Sequence, residues 1–174
     1  AGPGDKRSKL LDTGADAPDL ELLNHAGASR RLSSFWSDGP ALLMFWRHFG
    51  CGCGLDRASR LNEEYADYRA AGIHPVIIGQ GEPERPSAYK EQYDIKCPIL
   101  CDPDFAAYSA FGLSNFGIEQ LLYDAPEDTW CHSKEIGIDF QKARRAINRP
   151  LVDNPWLSPG EFLVDSSGTI RVSY

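Results

Sequence analysis

The sequence lacks several features that would place it in common functional classes. Its 18 Lys and Arg against 25 Asp and Glu give a net charge of -7, so we expect no nucleic-acid partner. No apolar run approaches the length of a membrane span, so no membrane partner is expected, and no charged-then-apolar leader is visible. Phosphate-binding glycine motifs of the G-x-G-x-x-G and P-loop types are also missing, so we expect no bound organic cofactor.

Cysteine is scarce and odd in number. Five Cys among 174 residues cannot all pair within the chain and are too sparse for a small disulfide-stabilised scaffold. This composition favours a reducing, cytoplasmic location in which the thiols have chemical roles. The length suits one domain with a single buried core.

Strand and helix patterns alternate along the chain, which predicts an α/β fold with a central mixed sheet flanked by helices. Apolar runs and turn residues predict strands on both sides of a turn at 25–27, at 40–46, in HPVIIG and in CPILCD, and a closing hairpin over 162–165 and 169–174. Helical spacing predicts helices over 55–71, ending at Gly72, from Pro86 onward, and within PDFAAYSAFG.

Residues 114–158 differ from this alternating pattern. They are rich in Trp, Pro and charge, and one helix is expected around 138–147. Segments inserted between core elements often cover or line a site. We therefore interpret residues 1–174 as one domain whose insert packs over the cysteine-bearing end of the sheet.

The stretch MFWRHFGCGCGLD sets Cys51 and Cys53 among glycines, after a buried strand and before a helix. Unsatisfied N–H groups and the helix dipole favour an anion at a helix N-terminus, and a thiolate there has a lowered pKa. Arg47 and His48 are close in sequence and add positive charge. These are the requirements of a nucleophilic cysteine, although buried cysteines are also common and inert.

Together with this stretch, DPDFAAYSAFG and the spacing Pro159, Phe162, Asp165 give the chain a family resemblance. It resembles the alkyl hydroperoxide reductase/thiol-specific antioxidant family, the peroxiredoxin-like or redoxin group of the thioredoxin superfamily. The resemblance implies a thioredoxin-like fold and a thiol oxidoreductase that reduces a peroxide or a disulfide. By motif position it implies that Cys51 is the reactive cysteine. It also implies a thiol reductant such as a thioredoxin-like protein, and a homodimer is compatible with it.

The chain departs from the peroxidatic motif Pro-x-x-x-Thr-x-x-Cys of that superfamily. Counting back from Cys51, Met44 replaces the Pro and His48 replaces the Thr, and WLSPGEF lacks the Arg expected before the penultimate strand. Gly54 occupies the second cysteine position of a Cys-x-x-Cys dithiol. We therefore expect His48 to hold or release a proton and Arg47 to stabilise the anion.

Several residues could complete the reaction. Cys53 is the first choice as resolving thiol, with Cys97, Cys101 and Cys131 as alternatives. On a strand, Cys97 and Cys101 would lie roughly 13 Å apart, too far for a bridge. Pro159 is either a cis proline facing the substrate, as thioredoxin folds often have, or an ordinary trans proline in a turn.

Two non-catalytic interpretations stay open. Cys51 and Cys53 with His74 or His132 could bind Cu(I), which soft thiolates suit. The missing Thr and Arg would also fit a partner-binding protein whose active site has lapsed. The family would normally add a final helix after residue 174, so we expect a truncated C-terminus.

Overall fold

The computed structural model describes residues 10–47, 52–115 and 157–174, and for 52–56 it describes the backbone alone. Within these ranges the chain forms strands, α-helices and one short 3-10 helix. The strands are β1 Glu21–Asn24, β2 Ser29–Arg31, β3 Ala41–Phe45, β4 His74–Gly79, β5 Ile99–Cys101, β6 Gly160–Val164 and β7 Ile170–Ser173. The helices are the 3-10 helix Leu32–Phe35, α1 Gly52–Ala70, α2 Glu84–Gln92 and α3 Ala106–Ala110.

The strands form one mixed sheet in the order β2-β1-β5-β4-β3-β6-β7. Strands β3, β4 and β5 are parallel, whereas β1 pairs with β5, and β6 with β3, in the antiparallel sense. The parallel strands are joined through α1 and α2, as crossover connections require. The predicted thioredoxin-like α/β fold with a mixed sheet is confirmed.

Each face of the sheet has its own hydrophobic core. On one face, α1 and α2 cover a cluster that includes Met44, Leu61 and Ile77. On the other face, the 3-10 helix and α3 cover a larger cluster that includes Phe45, Tyr108 and Phe162. The inner strand β3 is buried on both sides, which explains why its sequence is an uninterrupted apolar run.

The helix starts differ from the predicted ones. Helix α1 begins at Gly52 rather than at residue 55. The prediction began too late because Gly52 and Gly54 are poor helix formers and do not continue the apolar helical pattern. Helix α2 begins at Glu84, with Pro86 as its third residue. A proline fits in the first turn because its missing N–H would have no partner there.

The end of α1 is the predicted one. Gly72 adopts a φ of +74°, a left-handed conformation that glycine accepts without steric cost. Its N–H donates to the carbonyl of Arg69 at 3.1 Å, and the N–H of Ile73 donates to that of Tyr68 at 2.8 Å. These two bonds form a Schellman motif. None of the helices in the described ranges has the length and apolar character needed to cross a bilayer.

Candidate functional site

Four strands bring their ends together at one edge of the sheet. The parallel strands β3, β4 and β5 all end there, at Phe45, Gly79 and Cys101. The antiparallel strand β6 starts at the same edge, because Gly160 pairs with Phe45. In sheets of this kind, ligands bind in the crevice outside the carboxyl ends of the strands. We call this the carboxyl edge and take it as the candidate site.

The predicted site residues are covered unevenly by the structure. Cys51 and His48 lie outside the described residues. Cys53 is the second residue of α1, and its side chain is outside them too. Arg47 and Pro159 are described, and both lie at the carboxyl edge, one after β3 and the other before β6.

Arg47 is half-buried at this edge. Burial lowers the pKa of its guanidinium below its usual value, because a low-dielectric environment disfavours the charged form. Arginine nevertheless remains protonated in proteins. A positive charge therefore lies at the carboxyl edge, five positions before the start of α1 in the sequence.

Pro159 is exposed and directly precedes Gly160 at the start of β6. The peptide bond that precedes it is trans, so the structure has the ordinary turn proline of the two alternatives. Its neighbour Ser158 donates its N–H to the carbonyl of Ser114 at 2.8 Å, and Asn115 forms a bridge with Leu157. The two ends of the predicted insert thus lie side by side, next to Pro159, and residues 116–156 lie outside the described residues.

Cys97 and Cys101 are free thiols, as predicted, and both are buried. Cys101 ends β5 at the carboxyl edge, whereas Cys97 precedes the start of that strand. Burial raises the pKa of Cys97 to about 12. Burial, with Glu82 and Glu84 nearby, raises the pKa of Cys101 to about 11. Both thiols are therefore neutral at physiological pH, and Cys101 is the one placed near the candidate site.

The buried Cys97 thiol should make the free energy of unfolding decrease as the pH rises into the alkaline range. The folded pKa of this thiol, about 12, exceeds the ordinary 9.0. Its contribution to the free energy of unfolding is therefore complete below pH 9 and is lost as the pH rises through the folded pKa. We expect Cys97→Ala to flatten the alkaline decline in the free energy of unfolding by up to about 1.4 kcal/mol per pH unit. Urea unfolding at several alkaline pH values measures this slope. Val172→Ala, at a half-exposed position, serves as the control, and an equal slope in all three proteins would contradict the prediction.

The copper interpretation needs a histidine near Cys51 and Cys53, and His74 does not lie at the carboxyl edge. His74 begins β4, so it lies at the opposite edge of the sheet from Arg47. Five residues of strand at about 3.3 Å each separate it from the carboxyl edge. His132 lies outside the described residues. No group of three or more His, Cys, Asp or Glu side chains arranged to hold a metal ion occurs in the described ranges.

An ion pair connects α1 to β6 near the site. Arg57, in the second turn of α1, pairs with the carboxylate of Glu161. Glu161 on β6 lies opposite Met44 on β3 in the antiparallel pair. The side chain of Met44 belongs to the core on the α1 face of the sheet. The pair therefore places a positive charge beside the carboxylate that β6 carries next to the carboxyl edge.

Sequence reasoning missed three polar residues at the carboxyl edge. Gln80 follows β4, Asp102 follows β5, and Tyr108 lies on α3. The first two could have been noticed, because each is a polar residue directly after a buried strand. Tyr108 stands within DPDFAAYSAFG, which carries the family resemblance, but nothing in that element marks its hydroxyl, and the residue is 0% exposed within an aromatic cluster.

A sequence profile of the AhpC/TSA family matches residues 13–173. The chain belongs to the AhpC/TSA family. This confirms the resemblance on which the expected chemistry depends. Within the family pattern, Asp165 has a structural role in the β6–β7 turn, since it accepts hydrogen bonds from the hydroxyl of Ser167 and from the N–H groups of Ser167 and Thr169, and pairs with Arg171 on β7. These bonds lower the pKa of its carboxyl.

Individual proteins of this kind are similar to this chain over different fractions of their lengths. The chloroplastic thioredoxin-like protein AAED1 of Arabidopsis thaliana is 33% identical over 110 residues, which cover 63% of this chain and 42% of that protein. The chain therefore matches less than half the length of that relative. Peroxidoxin BcpB of Mycobacterium tuberculosis has a TM-score of 0.69 at 18% identity, covering 94% of this chain and 85% of that one.

The fold is also shared with a protein named for disulfide chemistry. The thioredoxin domain of a thiol-disulfide oxidoreductase from Bacteroides vulgatus has a TM-score of 0.59 at 16% identity, with 94% of this chain and 88% of that one covered. At such identities the structural likeness establishes the fold alone. The residues of the site, and not the fold, must therefore decide between peroxide reduction and disulfide exchange.

Proposed function

We propose that this AhpC/TSA protein is a thiol-dependent oxidoreductase in which the Cys51 thiolate attacks a peroxide oxygen or a disulfide sulfur. The observation that carries the proposal is the start of α1 at Gly52, the residue directly after Cys51. The helix follows β3 at the carboxyl edge, so the first unpaired N–H groups of a 19-residue helix belong to this edge. Those groups and the helix dipole stabilise an anion.

Charged side chains support an anion at the same place. Arg47 supplies a half-buried positive charge two residues after the end of β3. Arg57 pairs with Glu161, so this carboxylate repels a thiolate less than a lone one would. Both effects favour a lowered pKa for Cys51, and His48 is proposed to hold or release the proton.

With a peroxide, the Cys51 thiolate attacks one oxygen and the O–O bond breaks. Cys51 becomes a sulfenic acid, and the leaving oxygen takes a proton to form an alcohol or water. The Cys53 thiol then attacks the sulfenic sulfur, which releases water and forms a disulfide. With a disulfide substrate, Cys51 instead forms a mixed disulfide and expels a thiolate, and Cys53 resolves it.

Among the two substrate classes, we propose that peroxide is turned over slowly. Cleavage of the O–O bond places charge on the leaving oxygen, which needs polarising groups. His48 stands where the superfamily motif has Thr, so the hydroxyl that both donates and accepts a hydrogen bond is missing. The second-order rate with hydrogen peroxide should therefore be well below ~10⁷ M⁻¹s⁻¹, in the upper range for enzymes.

Cysteines elsewhere in the chain bear on the resolving step and the compartment. Cys101 is the second choice after Cys53, because it ends a strand at the carboxyl edge, whereas Cys97 lies at the other end and Cys131 lies outside the described residues. The free thiols Cys97 and Cys101 fit a reducing, cytoplasmic location. A thioredoxin-like protein is proposed to reduce the disulfide, and a homodimer remains compatible with this function.

Intact-mass and peptide analysis after one equivalent of oxidant tests the proposal. With hydrogen peroxide, and separately with oxidised glutathione, we expect the protein to lose two thiols and to recover both with reduced thioredoxin. In the Cys53→Ser variant, peroxide should stop at a sulfenic acid on Cys51 that dimedone traps. In Cys51→Ser, neither oxidant should produce a product.

The competing interpretations give different results in the same samples. A copper carrier would leave the thiols reduced and show metal-to-thiolate absorption with Cu(I). A partner-binding protein with a lapsed site would show neither oxidation nor absorption. Either result would overturn the proposed function, as would equal oxidation in the Cys51→Ser variant.

A further inference from the structure

Within the described ranges, two residues with an amide or a carboxylate side chain are buried, and both lie at the carboxyl edge. Gln80 and Asp102 are each 1% exposed, directly after β4 and β5. Burying a polar side chain costs free energy unless it is hydrogen-bonded, so each of these side chains needs a hydrogen-bonding partner. Gln80 donates from its amide nitrogen to the carbonyl of Arg47.

The carbonyl of Trp46, the residue before Arg47, also accepts a side-chain hydrogen bond. The hydroxyl of Tyr108 donates to the carbonyl of Trp46 and also lies 3.2 Å from that of Ile78. The N–H of Trp46 donates to the same Ile78 carbonyl at 2.8 Å. Register pairing of β3 with β4 ends at Phe45. Side-chain donors thus bind the next two carbonyls where the chain leaves the sheet toward Cys51.

Tyr108 is itself held rigidly. Its ring packs edge-on against Phe45 with centroids 5.1 Å apart. The carboxylate of Asp102 accepts the N–H groups of α3 residues at 2.8–3.1 Å, and the N–H of Asp102 donates to the carbonyl of Gly79 at 2.8 Å. The position of the Tyr108 hydroxyl is therefore determined by the ends of β4 and β5 through α3.

We propose that Gln80 and Tyr108 are positioning residues for Cys51, because they hold the carbonyls of Arg47 and Trp46 at the point where the chain leaves β3. This inference rests on the proposed function of Cys51. Three residues separate Arg47 from Cys51 in the sequence, so the anchored segment sets where the chain departs toward the reactive cysteine. A small displacement of a reacting group from its productive geometry slows a reaction severely.

Two nearly isosteric variants test the hydrogen bonds from Gln80 to the Arg47 carbonyl and from Tyr108 to the Trp46 carbonyl, which we call the clamp. Tyr108→Phe removes the hydroxyl and keeps the ring, and Gln80→Met removes the amide donor and keeps the side-chain length. For each variant we expect a higher apparent pKa of Cys51 in the pH profile, because its thiolate is displaced from the N–H groups at the start of α1. Alkylation by iodoacetamide near neutral pH should then be about tenfold slower. Because both bonds hold the same segment, the effects of the double variant should be smaller than additive.

Ile170→Val is the matched control. Ile170 is equally buried in the same core, but it pairs with Val164, whose β3 partner is Ala41 at the far end of the strand. It should lose stability and keep the wild-type rate and pKa of Cys51. If Tyr108→Phe does not fold, Gln80→Met alone decides.

The two proposals fail in distinguishable ways. Wild-type alkylation kinetics in Tyr108→Phe or Gln80→Met, with Cys51 still oxidised by peroxide or glutathione disulfide, would overturn the clamp and leave the proposed function intact. Alkylation of Cys51 in the wild type depends on neither oxidant, so slowed labelling in both variants would support the clamp even if Cys51 reacted with neither.

Discussion

Iodoacetamide is expected to label Cys51 at least about a hundredfold faster than Cys97 or Cys101 at about pH 7.5. Only the thiolate is alkylated, and burial raises the pKa of the other two thiols to about 12 and about 11. Their higher basicity restores part of the lost rate. However, both are nearly inaccessible, at 0% and 1% exposed, and must wait for local opening of the structure.

Timed labelling followed by peptide mass spectrometry gives the rate for each cysteine. Cys97→Ala is the matched control and should retain the fast reaction, whereas Cys51→Ser should lose it. If Cys51 reacts no faster than Cys97, the start of α1 does not activate a thiol, and the nucleophile proposed here is the wrong residue.

Phe162→Ala is expected to lower the free energy of unfolding by about 3–5 kcal/mol, the usual cost of deleting a buried aromatic ring. Phe162 is 0% exposed on β6. Its ring lies 4.9 Å from that of Phe111 and 5.7 Å from that of Phe45, centroid to centroid. Removing it opens a cavity between the sheet and the elements on its α3 face, which would forfeit a large part of a typical domain's stability.

Denaturant unfolding measures this loss as a shift of the midpoint at unchanged slope. The control is Val172→Ala on the adjacent strand β7, where the side chain is 50% exposed and the expected change is within about 0.5 kcal/mol. A loss below about 1 kcal/mol for Phe162→Ala would mean that this face of the sheet repacks around the missing ring.

The strands of this protein could be predicted because burial leaves a local trace. A strand covered on both faces, such as β3, has an unbroken apolar sequence, and α1 repeats its apolar residues at helical spacing. The strand geometry also predicted that Cys97 and Cys101 do not bridge. In each case, neighbouring residues carried the information that was needed.

The clamp at the carboxyl edge could not be predicted in the same way. Tyr108 and Trp46 are 62 residues apart, and Gln80 and Arg47 are 33 apart, so their contacts exist only once the sheet has assembled. A tyrosine in a short apolar helix looks the same whether its hydroxyl binds a carbonyl or water. The start of α1 was missed for a different reason, since glycines weaken the local helical signal.

The paired ends of the segment between Asn115 and Leu157 have an evolutionary consequence. Because these residues bridge and Ser158 bonds to Ser114, the chain departs and returns at one point of the framework. The entropic cost of joining two anchored points of a chain grows only with the logarithm of the number of residues between them. A change in the number of residues between the two points therefore adds little to that cost, so related proteins can differ in length next to Pro159 while the bridge between Asn115 and Leu157 is kept.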